Sequence, residues 1–455
     1  MAALERENVA KLLSENISDI SDDSLIKIAR QLSFWSAEKL SDQEMFELTQ
    51  RLVHTATWRK RSFTVPKVRY GRTGIQMPII TCGAMRFQHT WAPDFTPITI
   101  SKKNVIKTPS QDHLLEVVRQ CLRLGINHFE TARMYGTSEV QLSHALSTLM
   151  ERGEIKRSDF IFQTKMPVSS PDRKDFEKFF KQSWQNLEKL GYIDLMSFWC
   201  VSKPNQADWV LSDDENGLMA AALEWKKQGK IKHIGFSTHG SADVIMRLIE
   251  SNKFDYVNLH YHYFGDYHAE GTPNYQGHGN LECVKKALEL DMGVFNISPI
   301  DKGGRLYNPS ATVARLIGTK MSPIAFAALY SWKAAEMHTI SVGFARIADL
   351  DEMFEAVEML TKNDEIDILL KGVENRLTKH AEEKLGKEWV EKGLLNLPSF
   401  FDESVKGMGL GHVLWCYNMI HAYGMFETAY QRYSNLEKFN QWDNKKTFED
   451  NIKAM

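Results

Sequence analysis

The chain has 455 residues, 43% of them hydrophobic and 25% charged, with 27 glycines and 13 prolines; this excludes a collagen-like or low-complexity chain and wholesale disorder. Its 56 basic and 58 acidic residues leave a formal charge of −2, which offers no global basic footprint for nucleic acid, and no run of 18 apolar residues is present to cross a membrane. At roughly 150 residues per domain, the length suits three domains or one large domain with attachments.

The first residues, MAALERENVAKLLSE, carry Glu5, Glu7 and Glu15 and lack a long apolar core, so they read neither as a secretory signal nor as a transit peptide. Residues 1–65 read as a separate helical extension. Leu25, Ile28, Leu32 and Trp35 fall at helical spacing, and Ser41-Asp42-Gln43-Glu44 forms a capping-box pattern ahead of Met45, Leu48, Leu52 and Val53. Two short helices bury little alone, so this piece is expected to pack on the main domain or on another protein.

From about Val68 short apolar runs alternate with helices. Eight strands are expected, at Ile79–Phe87, Asn127–Thr131, Phe160–Lys165, Asp194–Cys200, His233–His239, Tyr256–Tyr263, Gly293–Ile300 and His338–Phe344. Helices are expected over Leu114–Leu124 and Phe176–Leu190, each stopped by a glycine, and over Leu281–Leu290 and Ile324–Trp332, the last behind Ser322-Pro323 as cap and first turn. Eight strand–helix repeats in this length predict an α/β fold, a (β/α)8 TIM barrel over 66–365, rather than an open sheet. No GxGxxG follows the first strand, as a doubly wound dinucleotide fold would want. Residues 366–455 read as a C-terminal helical appendage with one glycine-rich break at Gly407–Gly411.

In a barrel strand the more apolar parity faces the helices. That rule points Glu130, Gln163, Lys165, Trp199, Ser237, His239, Asn258, His260, His262, Asn296, Ser298, Ser341 and Gly343 inward or into the mouth. The polar groups gather at the strands' C-terminal ends, where active sites of this fold sit. Glu130 and Lys165, on adjacent strands, form either a buried ion pair or the tuning partners of Tyr135, whose phenol a nearby lysine charge makes a usable proton donor. His260 and His262 share one strand face, with His239 on a neighbouring strand, but no carboxylate or cysteine completes a metal set, so none is expected and hydrogen-bonding pocket histidines are preferred. The run from Ser298 to Arg305, with Lys302, Gly303 and Gly304, suits either a phosphate or a solvated glycine turn. The five cysteines, Cys82, Cys121, Cys200, Cys283 and Cys416, are odd in number and none falls at CxxC spacing. A redox pair or zinc ribbon is thus not expected, and a reducing, cytoplasmic compartment fits.

The segment from about Val68 to Val357 resembles the aldo-keto reductase family. The resemblance is carried by Tyr70-Gly71-Arg72-Thr73-Gly74, by Gly125 to Ala132 with Tyr135-Gly136 and Ser138-Glu139, by Thr164-Lys165, by Gly229 to Gly240, and by Ser298-Pro299 with Asp301-Lys302-Gly303-Gly304. It implies NADP(H)-dependent reduction of a small-molecule carbonyl, with Tyr135 as proton donor and Lys165 as the residue tuning it. Two positions of the family's tetrad differ: Glu130 stands where Asp is usual, and Trp199 stands where His is usual. By the same resemblance Ser237, His260, Ser298, Lys302 and Gly303 line the nicotinamide and pyrophosphate, and Gly343, Arg346 and Glu352 hold the adenosine end. The subgroup it most resembles carries a ferredoxin-like C-terminal appendage. Only Cys416 lies beyond Cys283 here, so that segment lacks the cysteines for a cluster. Two functions follow: an NADP(H)-dependent oxidoreductase, or, given the altered tetrad and the two extensions, a non-catalytic relative acting through protein partners in a larger assembly.

Overall fold

A computed structural model of the protein describes residues 64–85, 102–265, 280–300, 306, 309–344, 351–362, 364–392, 410–426 and 429. The N-terminal extension up to residue 63, the run 301–305 and the break at Gly407–Gly411, apart from the start of the last helix, lie outside those residues.

Eight parallel strands close into a barrel, each paired with the next in chain order and the last with the first. They are β3 (Ile80–Gly83), β4 (His128–Glu130), β5 (Ile161–Pro167), β6 (Ile193–Trp199), β7 (Ile231–Ser237), β8 (Tyr256–Leu259), β9 (Gly293–Asn296) and β10 (Thr339–Val342). Each falls on one of the eight expected runs. Five of them, β3, β4, β8, β9 and β10, are shorter than their runs, while β5, β6 and β7 are as long as theirs or longer. Between them lie α1 (Lys102–Val105), α2 (Pro109–Arg123), α3 (Ser138–Glu151), α4 (Arg173–Leu187), α5 (Pro204–Leu211), α6 (Leu218–Lys227), α7 (Ala242–Glu250), α8 (Asn280–Glu289), α9 (Ala311–Ile317) and α10 (Pro323–Lys333).

The caps work as their residue types dictate. Gly125, just past α2, sits at φ +82, a left-handed conformation that costs glycine little. The Ser322 hydroxyl accepts from the Ala325 N–H, and Pro323 opens α10, where its missing N–H costs nothing.

Two strands were not anticipated. β1 (Lys67–Arg69) and β2 (Gln76–Pro78) pair antiparallel as a separate hairpin. Tyr70 and Met77 of this hairpin pack with Ile161, Leu195, Tyr256 and Phe295 in a small apolar cluster apart from the main core. The hairpin thus plugs the N-terminal end of the barrel. A Cβ at Gly293 would lie 2.5 Å from the Tyr70 ring, and one at Gly235 would lie 2.5 Å from the Tyr256 ring. The two glycines make room for these rings inside the barrel.

The cluster corrects one expected parity. Phe295 lies inside the barrel, while Val294 joins the outer core, so Asn296 points outward and not inward. Its amide donates to the Ser331 hydroxyl on α10 (2.9 Å) and to the Tyr261 carbonyl (2.7 Å). Barrel strands are buried on both faces, and a polar residue satisfied by a helix mimics an inward one in the sequence pattern. Alternation from Asn296 therefore says nothing of Ser298, where the backbone has already turned to φ +55.

Beyond β10 the described chain forms the helices α11 (Asp351–Lys362), α12 (Ile366–Leu385), α13 (Lys387–Lys392) and α14 (Leu410–His421). It is bonded to the barrel rim after β8. The Trp415 indole donates to the Phe264 carbonyl (3.0 Å), Tyr263 Oη is 3.1 Å from Thr378 Oγ1, and Ser310 donates to the Tyr423 carbonyl. Arg376 donates to the carbonyls of Leu316 and Ile317 at the end of α9, satisfying groups that a helix C-terminus leaves open. No helix among the described residues is long and apolar enough to cross a membrane.

Candidate active site

Tyr135 lies in the turn between β4 and α3. The segment before it runs on along β5 past the end of β4: the N–H groups of Thr131 and Arg133 donate to the carbonyls of Gln163 (2.9 Å) and Lys165 (3.0 Å). Gly136, at φ +57, turns the chain back. Ser138 then fastens the turn, donating to the Ala84 carbonyl (2.7 Å) with its hydroxyl 2.8 Å from Thr131 Oγ1.

Lys165 points inward from β5 and is fully buried. Its ammonium contacts Glu130 Oε1 and donates to the Thr131 carbonyl (3.0 Å) and to the Tyr135 hydroxyl (3.2 Å). Its Nζ stands 4.6 Å from the Tyr135 ring centroid. In the ladder Glu130 pairs with Gln163, two residues short of Lys165. The carboxylate must therefore reach one same-face step toward the mouth, which the extra methylene of Glu over Asp allows. Burial holds the Lys165 pKa well below the usual lysine value. The contact with Glu130 is what opposes that desolvation and favours the charged form. Tyr135, Lys165 and Glu130 are therefore brought together.

Trp199 ends β6 opposite Pro167, half-buried at the mouth. Directly after it Cys200 adopts φ +58, a strained conformation for a side chain with a Cβ. Its N–H donates to Ser237 Oγ (3.0 Å), so the Ser237 hydroxyl braces the turn beyond Trp199. His260 is fully buried, with Nε2 2.7 Å from Nδ1 of His239, and its carbonyl accepts from Asn280 (2.6 Å). His262 stands edge-on to it at 6.0 Å between ring centroids. Among the described residues no group of three His, Cys, Asp or Glu is placed to hold a metal ion. Gly343 follows β10 and is exposed. Glu352 lies in the first turn of α11. Lys302, Gly303 and Arg346, and the side chain of Glu352, lie outside the described residues.

Asn258 was placed inward by alternation but not singled out. It pairs with Ser237 in the ladder and is fully buried, and neither Oδ1 nor Nδ2 finds a hydrogen-bond partner among the described residues. A buried amide without partners is costly. Its donor and acceptor match those of a primary carboxamide, the group that a nicotinamide presents.

Beneath these groups the barrel holds buried polar side chains that the sequence pattern did not single out. Thr81 Oγ1 lies 2.8 Å from Thr339 Oγ1 and 2.7 Å from His128 Nδ1. Gln163 donates to Ser197 (3.1 Å), whose hydroxyl is 2.9 Å from Tyr256 Oη. Burial lowers the His128 pKa to about 3, and the charge of Lys165 adds to that; the nearby Gln163 amide opposes it. His128 has the same strand parity as Glu130, which is the signal that could have found it.

Comparison with known proteins adds a family. Residues 80–371 match the model of the aldo/keto reductase family. Among curated proteins the chain is similar to the 7-acetyl-epi-neemfruitin B aldo-keto reductase of Melia azedarach, 28% identical over 203 residues, covering 42% of this chain and 55% of that one. It is also similar to rhazimal reductase 2 of Alstonia scholaris, 28% identical over 152 residues, covering 31% and 46% respectively. The chain thus spans about half the length of the curated relatives it matches. Among solved structures it is similar to an aldo-keto reductase of Bombyx mori in complex with NADP, with TM-score 0.47, 16% identity, and 69% and 93% of the two chains covered. A reductase of Brucella melitensis gives TM-score 0.46 and 20% identity over 68% of this chain and all of that one.

Proposed function

This chain belongs to the aldo/keto reductase family, and on that premise we propose that it is an NADP(H)-dependent oxidoreductase that reduces a small-molecule carbonyl with Tyr135 as proton donor. The observation that carries this reading is the buried Lys165 ammonium held between the Glu130 carboxylate and the Tyr135 hydroxyl.

When bound, NADPH supplies the hydride. The residues fit such a group at one point in particular: the Asn258 amide, which has no hydrogen-bond partner among the described residues and lies beside Ser237 and near His260, complements a carboxamide. Ser298, Lys302 and Gly303 would line the pyrophosphate and Gly343, Arg346 and Glu352 the adenosine end, with the Arg346 fork on a 2′-phosphate.

The chain's own groups do the proton chemistry. Tyr135 donates its phenolic proton to the carbonyl oxygen as negative charge develops there. Lys165 stabilises the phenolate left behind. Glu130 offsets the lysine charge, so the buried site carries no uncompensated cation before the proton moves. Trp199, with one indole donor and no acceptor, orients the carbonyl where the family usually places a histidine, and its bulk narrows the mouth. The contacts among Tyr135, Lys165 and Glu130 support catalysis over a purely structural role.

Calorimetric titration with NADPH tests this reading. Saturable binding is expected, and no heat of binding at about millimolar NADPH, the upper end of ordinary cofactor affinities, would overturn it.

A further inference from the structure

Glu139, in the first turn of α3, has its carboxylate almost fully buried and surrounded by four donors. Oε1 accepts from the hydroxyls of Thr164 (2.8 Å) and Ser183 (2.7 Å), and Oε2 accepts from Arg133 (2.9 Å) and Asn186 (3.0 Å). These donors come from three different elements. Thr164 immediately precedes Lys165 on β5 and faces the opposite side of the strand. Arg133 precedes Tyr135 by two residues, and its own N–H donates to the Lys165 carbonyl. Ser183 and Asn186 sit on α4, which packs behind β5.

One carboxylate therefore ties the strand that carries Lys165 to the turn that carries Tyr135 and anchors both to a helix. It stands behind the sheet, so it touches no reacting atom. A four-donor carboxylate with a guanidinium among its partners is strongly bonded and well oriented. We infer that Glu139 is a positioning residue, which through Arg133 and Thr164 sets the separation of the Tyr135 hydroxyl and the Lys165 ammonium. This rests on the catalytic reading above for its consequence in turnover, but its geometric content does not.

The carboxylate is also graded in how it can be broken. In Glu139→Gln one acceptor oxygen becomes an amide nitrogen, so two of the four donors lose the acceptor they had and must reverse or part from it, and the charge on Arg133 is left unbalanced. Arg133→Met cuts the tie to the Tyr135 turn alone. Asn186→Leu cuts one tie to α4 and leaves the turn held.

The test titrates Tyr135 directly, by the difference in ultraviolet tyrosinate absorbance between each protein and the same protein carrying Tyr135→Phe, alongside kcat and the NADPH dissociation constant. Glu139→Gln and Arg133→Met should raise the Tyr135 titration midpoint and lower kcat by about 10- to 100-fold, as a misplacement of up to about 1 Å would. NADPH affinity should stay within about twofold, because the ties do not reach the cofactor side. Asn186→Leu should lower thermal stability and leave the midpoint and kcat unchanged. An unchanged midpoint in Glu139→Gln and Arg133→Met overturns the inference, as does an equal shift in Asn186→Leu, which would mark a merely structural role. The absorbance readout holds without turnover: a wild-type protein that binds no NADPH would refute the catalytic reading, while the midpoints still decide the positioning role.

Discussion

His128 gives the structure a pH dependence that can be worked through. Its imidazole is fully buried inside the barrel, against the edge of Phe295 and bonded to Thr81. Burial first, and then the charge of Lys165, bring its pKa down to about 3, against about 6.5 in an unfolded chain. Between those values the unfolded chain binds the more protons, so stability rises with pH across the window and is lost as pH falls below about 6.5. From about pH 7.5 to about pH 5 the unfolded imidazole gains about 2 kcal/mol from protonation while the folded one stays neutral. Urea unfolding of the wild type and of His128→Asn at both pH values measures this. The wild type should lose about 2 kcal/mol more than the variant, whose amide keeps a partner for Thr81 but does not titrate. Equal losses in the two proteins would refute the buried, neutral imidazole.

Two further outcomes follow from buried groups without partners. The Tyr70 hydroxyl is buried and finds no hydrogen-bond partner among the described residues, and burial pushes its pKa well up. Tyr70→Phe should therefore leave stability unchanged or raise it, and a loss above about 1 kcal/mol in urea unfolding would contradict that burial. Asn258→Leu removes a buried amide that finds no hydrogen-bond partner among the described residues. It should weaken NADPH binding about tenfold in calorimetry, the worth of roughly one hydrogen bond, without lowering thermal stability.

The barrel was legible because each inward polar residue had an apolar neighbour to set the parity. Val257 and Leu259 around Asn258, and Phe162 between Ile161 and Gln163, leave little choice of face, and the outer core holds the expected members. β9 defeated the rule because Val294, Phe295 and Asn296 are all buried, Asn296 by bonding to Ser331. The hairpin of β1 and β2 was missed because three-residue strands are too short to show a period, and its role depends on Tyr70 meeting residues far along the chain, such as Tyr256, Phe295 and His338. Tyr135, Lys165 and Glu130 could be named from their residue types and strand positions, and the structure adds their contacts. Glu139 could not be given a role in advance. Its partners lie on a turn, a strand and a second helix, and no spacing along one element reveals such a junction. The C-terminal helices were readable as helices, but their docking through Trp415, Tyr263 and Arg376 is a matter of tertiary contact alone.

In the proposed reaction Tyr135 delivers the proton during carbonyl reduction. The most direct measurement is NADPH oxidation by the wild type and by Tyr135→Phe against a panel of aldehydes and quinones, with NADPH affinity measured in parallel. Loss of a positioned general acid should lower the rate by about 100- to 10,000-fold while the cofactor still binds and the fold is kept. Equal rates for the two proteins would contradict the account.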